Sequence, residues 1–232
     1  MSNKLNSFWK ELNREGKYGN EKEWFSAIAY CLMNDLCLNV GKNRYRITEC
    51  EFYYSDIDHE DPYIHGEPQQ ITTGQLYYNK AGGLDITFGQ ETYPAWGSIL
   101  IRGMRNLATN EYINQISKIV SEVFVALGNI VEGKACIYLS EIEEGKFKLE
   151  KPIVSRRVGL RKKEGDNENY FEKPYRFIVE LVPEHKFRDK EMRVRNLLIE
   201  NKISHEQVKN ILSYNLSKWI IEKVYNHFVI TI

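Results

Sequence analysis

The run Arg46-Ile47-Thr48-Glu49-Cys50-Glu51-Phe52-Tyr53-Tyr54 concentrates the side chains of this chain best suited to chemistry. It alternates as a β-strand does. Side chains two apart share a face, so Ile47, Glu49, Glu51 and Tyr53 are expected to point one way, and Thr48, Cys50, Phe52 and Tyr54 the other. Two carboxylates and a phenol on one strand face have two readings. On an edge strand they form a solvated polar stripe. In an interior they are costly unless paired, and a carboxyl displaced from its ordinary pKa is a candidate acid or base. The strand by itself leaves both readings open.

The elements around this strand follow from hydrophobic periodicity. Residues 5–15 read as a short helix with Phe8, Trp9 and Leu12 on one face, and residues 22–39 as a longer buried helix. Gly41-Lys42-Asn43 is a turn into the strand. Residues 55–70 read as an ordered polar loop. Short strands are expected at 75–79, 84–88 and 98–101, with a turn through Lys80-Ala81-Gly82-Gly83 between the first two. Residues 110–127 read as an amphipathic helix. Extended segments follow at 135–139, 147–149, 156–160 and 176–182, the last two flanking a charged loop, 162–172, read as mobile. Helices are expected at 190–200, 206–213 and 217–228, with Ser204 and Gln207 spaced as a capping box.

Composition bounds the function classes. The chain has 232 residues, 42% of them hydrophobic and 12% aromatic, enough for a substantial core. No run approaches the roughly 18 apolar residues of a membrane span, and residues 1–20 lack the apolar core of a secretion signal. Cys31, Cys37, Cys50 and Cys136 show no Cys-x-x-Cys spacing, and free thiols suit a reducing compartment, so a cytoplasmic location is expected. Basic and acidic residues balance at 32 each, which is not the signature of an indiscriminate nucleic-acid binder. No Gly-rich phosphate loop stands out. Asp56, Asp58, His59, Asp61 and His65 crowd one loop, but their spacing fits no common metal motif, so neither a metal nor another cofactor is expected.

Six segments, in order, resemble the alkyladenine (3-methyladenine) DNA glycosylases. Arg46-Ile47-Thr48-Glu49-Cys50-Glu51-Phe52-Tyr53 resembles that family's R-I-V-E-T-E-A-Y strand. Gly74-Gln75-Leu76-Tyr77-Tyr78 is similar to G-T-L-Y-V-Y, and Leu84-Asp85-Ile86-Thr87 stands where the family has M-N-I-S. Ile99-Leu100-Ile101-Arg102 resembles V-L-L-R, Arg157-Val158-Gly159-Leu160 resembles R-V-G-V, and residues 173–179 resemble K-P-L-R-F-Y-V. Each match is weak; together, over roughly residues 24–180, they are specific. The resemblance implies an α+β fold, a single domain with a strongly curved, mostly antiparallel β-sheet flanked by helices. The catalytic domain would span residues 21–183, after an N-terminal helical segment at 1–20 and before a C-terminal helical extension, 184–232, packed on the domain.

The resemblance also implies a function, hydrolysis of the N-glycosidic bond of a flipped-out modified base. By it, Glu51 is the carboxylate that activates water and offsets positive charge developing on the sugar. Arg102 helps hold that water, and Val179 does so through its backbone carbonyl. Tyr53 and Tyr77 wall the flipped base, since every base has a π-face. His65 corresponds to the pocket histidine, with His59 in competition. Arg156, Arg157, Lys162 and Lys163 flank the pocket strand as candidate phosphate contacts.

Two departures bear on substrate and partner. Asp85 replaces the asparagine with which the family screens bases. An ionised carboxylate only accepts hydrogen bonds, so Asp85 favours a base edge carrying an N–H donor and a substrate other than the usual alkylated purines, such as a modified base of foreign DNA. With its pKa raised by the charge of a neighbouring carboxylate, Asp85 would be protonated and would instead donate to the leaving base. A plain Asp85–Arg102 ion pair is the structural alternative. Second, the turn at 80–83 holds no aromatic where the family carries a wedging tyrosine. Flipping usually needs a plug or a weakened pair, so the DNA partner is duplex or single-stranded. Two other function classes stay open: a nucleic-acid-binding pseudo-enzyme that kept the pocket, and a glycosidase of free nucleosides or nucleotides.

Overall fold

The computed structural model describes residues 3–13, 20–92, 94–128, 135–143, 145, 147–200 and 202–214. They fall into two compact units, within residues 1–180 and within residues 181–232.

The first unit opens with two helices, α1 (Asn3–Leu12) and α2 (Glu21–Asn34). The strands are β1 (Leu36–Val40), β2 (Asn43–Ser55), β3 (Thr73–Tyr78), β4 (Leu84–Phe88), β5 (Trp96–Asn106), β6 (Tyr112–Asn114), β7 (Ile137–Glu141), β8 (Ile153–Ser155) and β9 (Arg176–Ile178), with helix α3 (Ile116–Leu127) between β6 and β7. They make one strongly curled, nine-stranded antiparallel sheet in the order β3-β4-β5-β2-β1-β7, with β6 on β5 and the pair β8–β9 on β2. This is the α+β architecture that the resemblance implied. β2 is its axis. β5 runs along one side for its whole length, while β1 and then β9 occupy the other.

The core lies between α2 and one face of β2. Phe25 stacks on Phe52 with ring centroids 4.8 Å apart, and Trp24 meets Tyr54 edge-on at 5.1 Å. Aromatic pairs of this geometry add about 0.5–1.5 kcal/mol beyond their burial. Phe8 and Leu12 of α1 join the same core.

Several boundaries differ from the periodicity reading. The helix expected over 22–39 stops at Asn34, and Leu36–Val40 is β1, paired on both sides with β2 and β7. Its apolar residues suit a strand buried between neighbours as well as a helix, and periodicity cannot separate the two over five residues. α3 begins at Ile116 rather than 110, because residues 112–114 pair with β5. The strand expected at 156–160 lies earlier, at Ile153–Ser155, and residues 147–149 form no strand. The 162–172 loop is anchored rather than loose. Asp166 accepts the backbone N–H groups of Tyr170 at 2.7 Å and Phe171 at 3.0 Å, together with the Tyr63 hydroxyl.

The second unit holds α4 (Lys190–Ile199) and α5 (His205–Leu212) around a small core of Val194, Val208 and Ile211. Ser204 caps α5 in the expected box with Gln207. The boundary falls after Glu180, three residues before the one expected. The helix expected at 217–228 lies outside the described residues.

Candidate active site

The alternation of β2 is broken once, and the break builds the site. Ile47 pairs with Met104 and Glu49 with Gly103, leaving Thr48 as an extra residue on β2; Glu49–Gly103 is followed by Cys50–Ile101, leaving Arg102 extra on β5. These are two β-bulges of opposite sense, which bend strands and re-aim side chains. Tyr45 and Ile47 before the break share the core with Cys50, Phe52 and Tyr54 after it. Ile47 therefore does not share the face of Glu49, Glu51 and Tyr53, as strict alternation required. Gly103 makes the close approach possible, since a Cβ there would stand 3.0 Å from both Glu49 Cβ and Thr48 Oγ1.

Released from the ladder, the Arg102 side chain reaches both acids. Its Nε donates to Glu49 Oε1 at 3.1 Å and its Nη1 to Glu51 Oε2 at 3.4 Å. Arg176 Nε donates to the same Glu49 oxygen at 2.8 Å. Glu51 Oε1 accepts the Val158 N–H at 2.7 Å, and Oε2 also accepts the Tyr53 hydroxyl at 2.9 Å. Glu51 is wholly buried, Glu49 nearly so, and the Arg102 side chain keeps 16% of its exposure, so this side chain still reaches solvent. A buried acid without such partners would be strongly destabilising.

Burial pushes the Glu51 carboxyl above its ordinary range, and Arg102, the Val158 N–H and Arg176 pull only part of the way back. Burial and the nearby Glu51 hold the Tyr53 hydroxyl protonated, well above the usual phenol range. Tyr53 can therefore only donate to Glu51. Its ring lies under the Arg157 guanidinium, 4.6 Å from the centroid.

A single row across the sheet joins the other expected residues. Tyr77 of β3 faces Asp85 of β4, Asp85 faces Leu100 of β5, Leu100 faces Glu51 of β2, and Glu51 faces Arg176 of β9. Directly opposed residues project to the same side of a sheet. Asp85 is 3% exposed and does not pair with Arg102. Its Oδ1 accepts Asn79 Nδ2 at 2.7 Å, and its Oδ2 accepts the Ser98 hydroxyl. Burial raises its pKa to about 6, against the lowering effect of Ser98 and Asn79, with Glu51 adding to the rise. Tyr77 is buried beside it, and its phenol is pushed up mainly by burial. Val179 follows β9, buried, with its N–H on the Thr48 carbonyl at 3.0 Å.

The two histidines separate cleanly. His59 is a core residue, with Nδ1 on the Tyr54 carbonyl at 2.9 Å and Nε2 on the Tyr175 hydroxyl at 2.8 Å. His65 is exposed. The crowded acidic loop is satisfied from within. Asp56 takes the Tyr54 hydroxyl, and Asp61 takes Arg157. Among the described residues no group of three or more His, Cys, Asp or Glu could hold a metal ion.

The basic candidates divide too. Arg157 is a correction to the sequence reading. It is 2% exposed, forked onto Asp61 at 2.5 and 3.2 Å and donating to the Phe52 and Tyr170 carbonyls. It braces the loop from inside and is not placed to meet a phosphate. Arg156 pairs with Glu172 at the surface, and Lys162 and Lys163 are exposed.

The sequence reading passed over Arg176, Val158, Asn79 and Ser98. The first two lie inside matched segments, so their presence was legible but their aim was not. Asn79, four residues before Gly83, carries the turn signal of an Asx residue; its Oδ1 accepts the N–H groups of Ala81 at 2.9 Å and Gly83 at 3.0 Å. Nothing in the sequence singles out Ser98.

Among the described residues no helix is long and apolar enough to cross a membrane. No family model matches the chain. It is similar to an uncharacterized protein of Acanthamoeba polyphaga mimivirus, at 25% identity over 189 residues, covering 68% of this chain and 87% of that protein.

Proposed function

We propose that the protein is a monofunctional DNA N-glycosylase that removes a flipped-out modified base. One observation carries the reading. A wholly buried carboxylate, Glu51, is tied to an arginine that still reaches solvent, in a sheet row that also holds Tyr77 and Asp85. In this reading Glu51 takes a proton from the attacking water. Its raised pKa brings its basicity closer to neutral pH, where a general base works best. Arg102 holds the water and keeps Glu51 ionised, and the Tyr53 hydroxyl fixes the carboxylate rotamer. As the bond to the base breaks, the carboxylate offsets positive charge on the sugar. Tyr77 supplies an aromatic wall for the base. Arg156, Lys162 and Lys163 remain as phosphate contacts. The protein works in the cytoplasm on DNA.

A second reading, hydrolysis of free nucleosides or nucleotides, is favoured by the internal position of Arg157, which thins the basic surface of a chain with zero net charge. Salt separates the two. Affinity for DNA falls steeply with salt through counterion release, whereas a free nucleoside or nucleotide carries no condensed counterion atmosphere to release.

The test is base release, followed by mass spectrometry, from single- and double-stranded DNA carrying a broad panel of natural and modified bases. Release by wild type and not by Glu51→Gln supports the glycosylase. Binding without release by either turns the reading to a nucleic-acid-binding protein.

A further inference from the structure

Helix α1 is pinned to both edges of the curled sheet. Among the described residues the edge strands are β3, which pairs with β4 alone, and β7, which pairs with β1 alone. Glu141 of β7 accepts the backbone N–H groups of Lys4 at 2.6 Å and Leu5 at 3.2 Å, and Lys4 Nζ pairs with Asp35 at 3.5 Å. Further along the helix, the Trp9 indole lies over Gly74 of β3, so closely that a Cβ there would fall 2.1 Å from the ring.

Held at both places, α1 leaves space beneath it. A cavity of about 270 Å³ is lined by Leu5 and Phe8 of α1, Leu76 and Ile86 of β3 and β4, and Leu38 and Ile137 of β1 and β7. Protein interiors hold few voids larger than a water, and the cost of a void grows with its volume. This one has room for about nine waters. Apart from the Trp9 indole, its polar side chains are those of Gln75 and Tyr138, both exposed and so at its mouth. Water deeper inside finds few partners. Leu76 pairs with Ile86, and Tyr77 with Asp85. Successive residues face opposite sides of a sheet, so the cavity lies behind the row of Tyr77, Asp85 and Glu51 and is separate from it.

We propose that this cavity binds a neutral, single-chain aliphatic amphiphile, its tail beneath α1 and its hydroxyl or amide head at Gln75 and Tyr138. Small-molecule sites are concave and largely apolar, with a few polar groups that fix orientation. The lining sets the class of ligand. None of its residues is charged, so a carboxylate or ammonium head has no partner there. The volume sets the length. A methylene takes about the space of a water, roughly 30 Å³, so the tail has about eight to ten carbons. The site stands independently of the chemistry at Glu51.

The experiment titrates the full chain with 1-butanol, 1-hexanol, 1-octanol and 1-decanol by calorimetry. One molecule should bind per chain, and affinity should rise about fourfold for each methylene added up to octanol, as burial of a CH₂ dictates. Uptake that does not saturate, or an affinity that does not climb with chain length, overturns the proposal. So does binding of decanoate or decylammonium as tight as that of decanol. Leu76→Trp and Ile137→Trp each add bulk to one side of the cavity. Either, once shown to be folded, should weaken octanol binding about tenfold, as if two methylenes were shut out. Unchanged octanol binding in a folded variant overturns the proposal. The chain-length series needs no variant, so it decides the matter even where neither substitution folds.

Discussion

Glu51 and Asp85 oppose the same residue, Leu100, from either side of β5. Two buried carboxylates thus lie on one face of the sheet, one braced by arginine and the other by neutral amide and hydroxyl donors. In the proposed glycosylase the arginine-braced carboxylate, Glu51, is the one assigned to water activation.

Glu51→Gln should abolish base release, by at least about a hundredfold, the lower bound of what a positioned base contributes. Because the folded pKa of Glu51 is raised, the wild-type rate should fall as pH drops through a point above the ordinary carboxylate range. Single-turnover release across pH checks this, and an acid limb retained in Glu51→Gln would assign that limb to another group.

Asp85 makes stability depend on pH in a defined direction. Its folded pKa, about 6, exceeds the ordinary 3.8, so the folded state binds the proton more tightly. Stability is therefore lost as pH rises from 3.8 to about 6, by up to about 3 kcal/mol at 1.36 kcal/mol per unit. Asp85→Asn lacks this proton. Its stability relative to wild type, from urea unfolding, should rise by about 2 kcal/mol between pH 4 and pH 7. A pH-independent difference would refute the shift.

Glu180 acts in the opposite sense. It receives Arg46, Arg105 and the Tyr112 hydroxyl, and Arg105 foremost among them overcomes burial to hold its pKa at about 2. Its stabilisation is full above pH 4.5 and is lost as pH falls from there towards 2. Glu180→Gln should destabilise the fold by about 3 kcal/mol at pH 7, the usual loss when one member of a buried ionic cluster is removed, and less at pH 3. Chemical denaturation at both pH values measures it.

Arg157→Gln should act on stability and not on DNA charge contacts. It leaves Asp61 buried without its cation, which costs about 3–5 kcal/mol. The slope of log affinity against log salt should stay as in wild type, whereas Lys162→Ala should reduce it by about 0.9 if Lys162 meets one duplex phosphate. A slope lowered by Arg157→Gln, measured where the variant remains folded, would return Arg157 to the surface.

Gly83→Ala should disturb Asp85 at one remove. A Cβ there would lie 2.6 Å from Leu100 Cδ1 and 2.8 Å from Asn79 Nδ2. Relief requires the amide to leave Asp85 or Leu100 to shift, and overpacking of this kind costs about 1–3 kcal/mol. Urea unfolding of wild type and Gly83→Ala measures this loss, and an unchanged stability would show that neither neighbour resists the added methyl group.

The sequence by itself determined the parts that depend on local pattern. β4 lies where its residues predict, α5 carries its Ser204 cap, and Glu51, Tyr77, Asp85 and Arg102 sit in segments whose resemblance to a known family implied a curved antiparallel sheet. Tertiary structure decided what depends on register. No local signal says that Thr48 and Arg102 drop out of the ladder, yet those bulges put Ile47 in the core and swing one guanidinium onto two glutamates. Nor does charge reveal its own burial. Arg157 and Arg156 are adjacent and alike in sequence, but one is locked on Asp61 inside and the other lies at the surface with Glu172. Local propensity acts between near neighbours along the chain. Arg102 and Val158, which hold Glu51, and Asp61, which holds Arg157, come from distant segments, and only closure of the sheet brings them within hydrogen-bond reach.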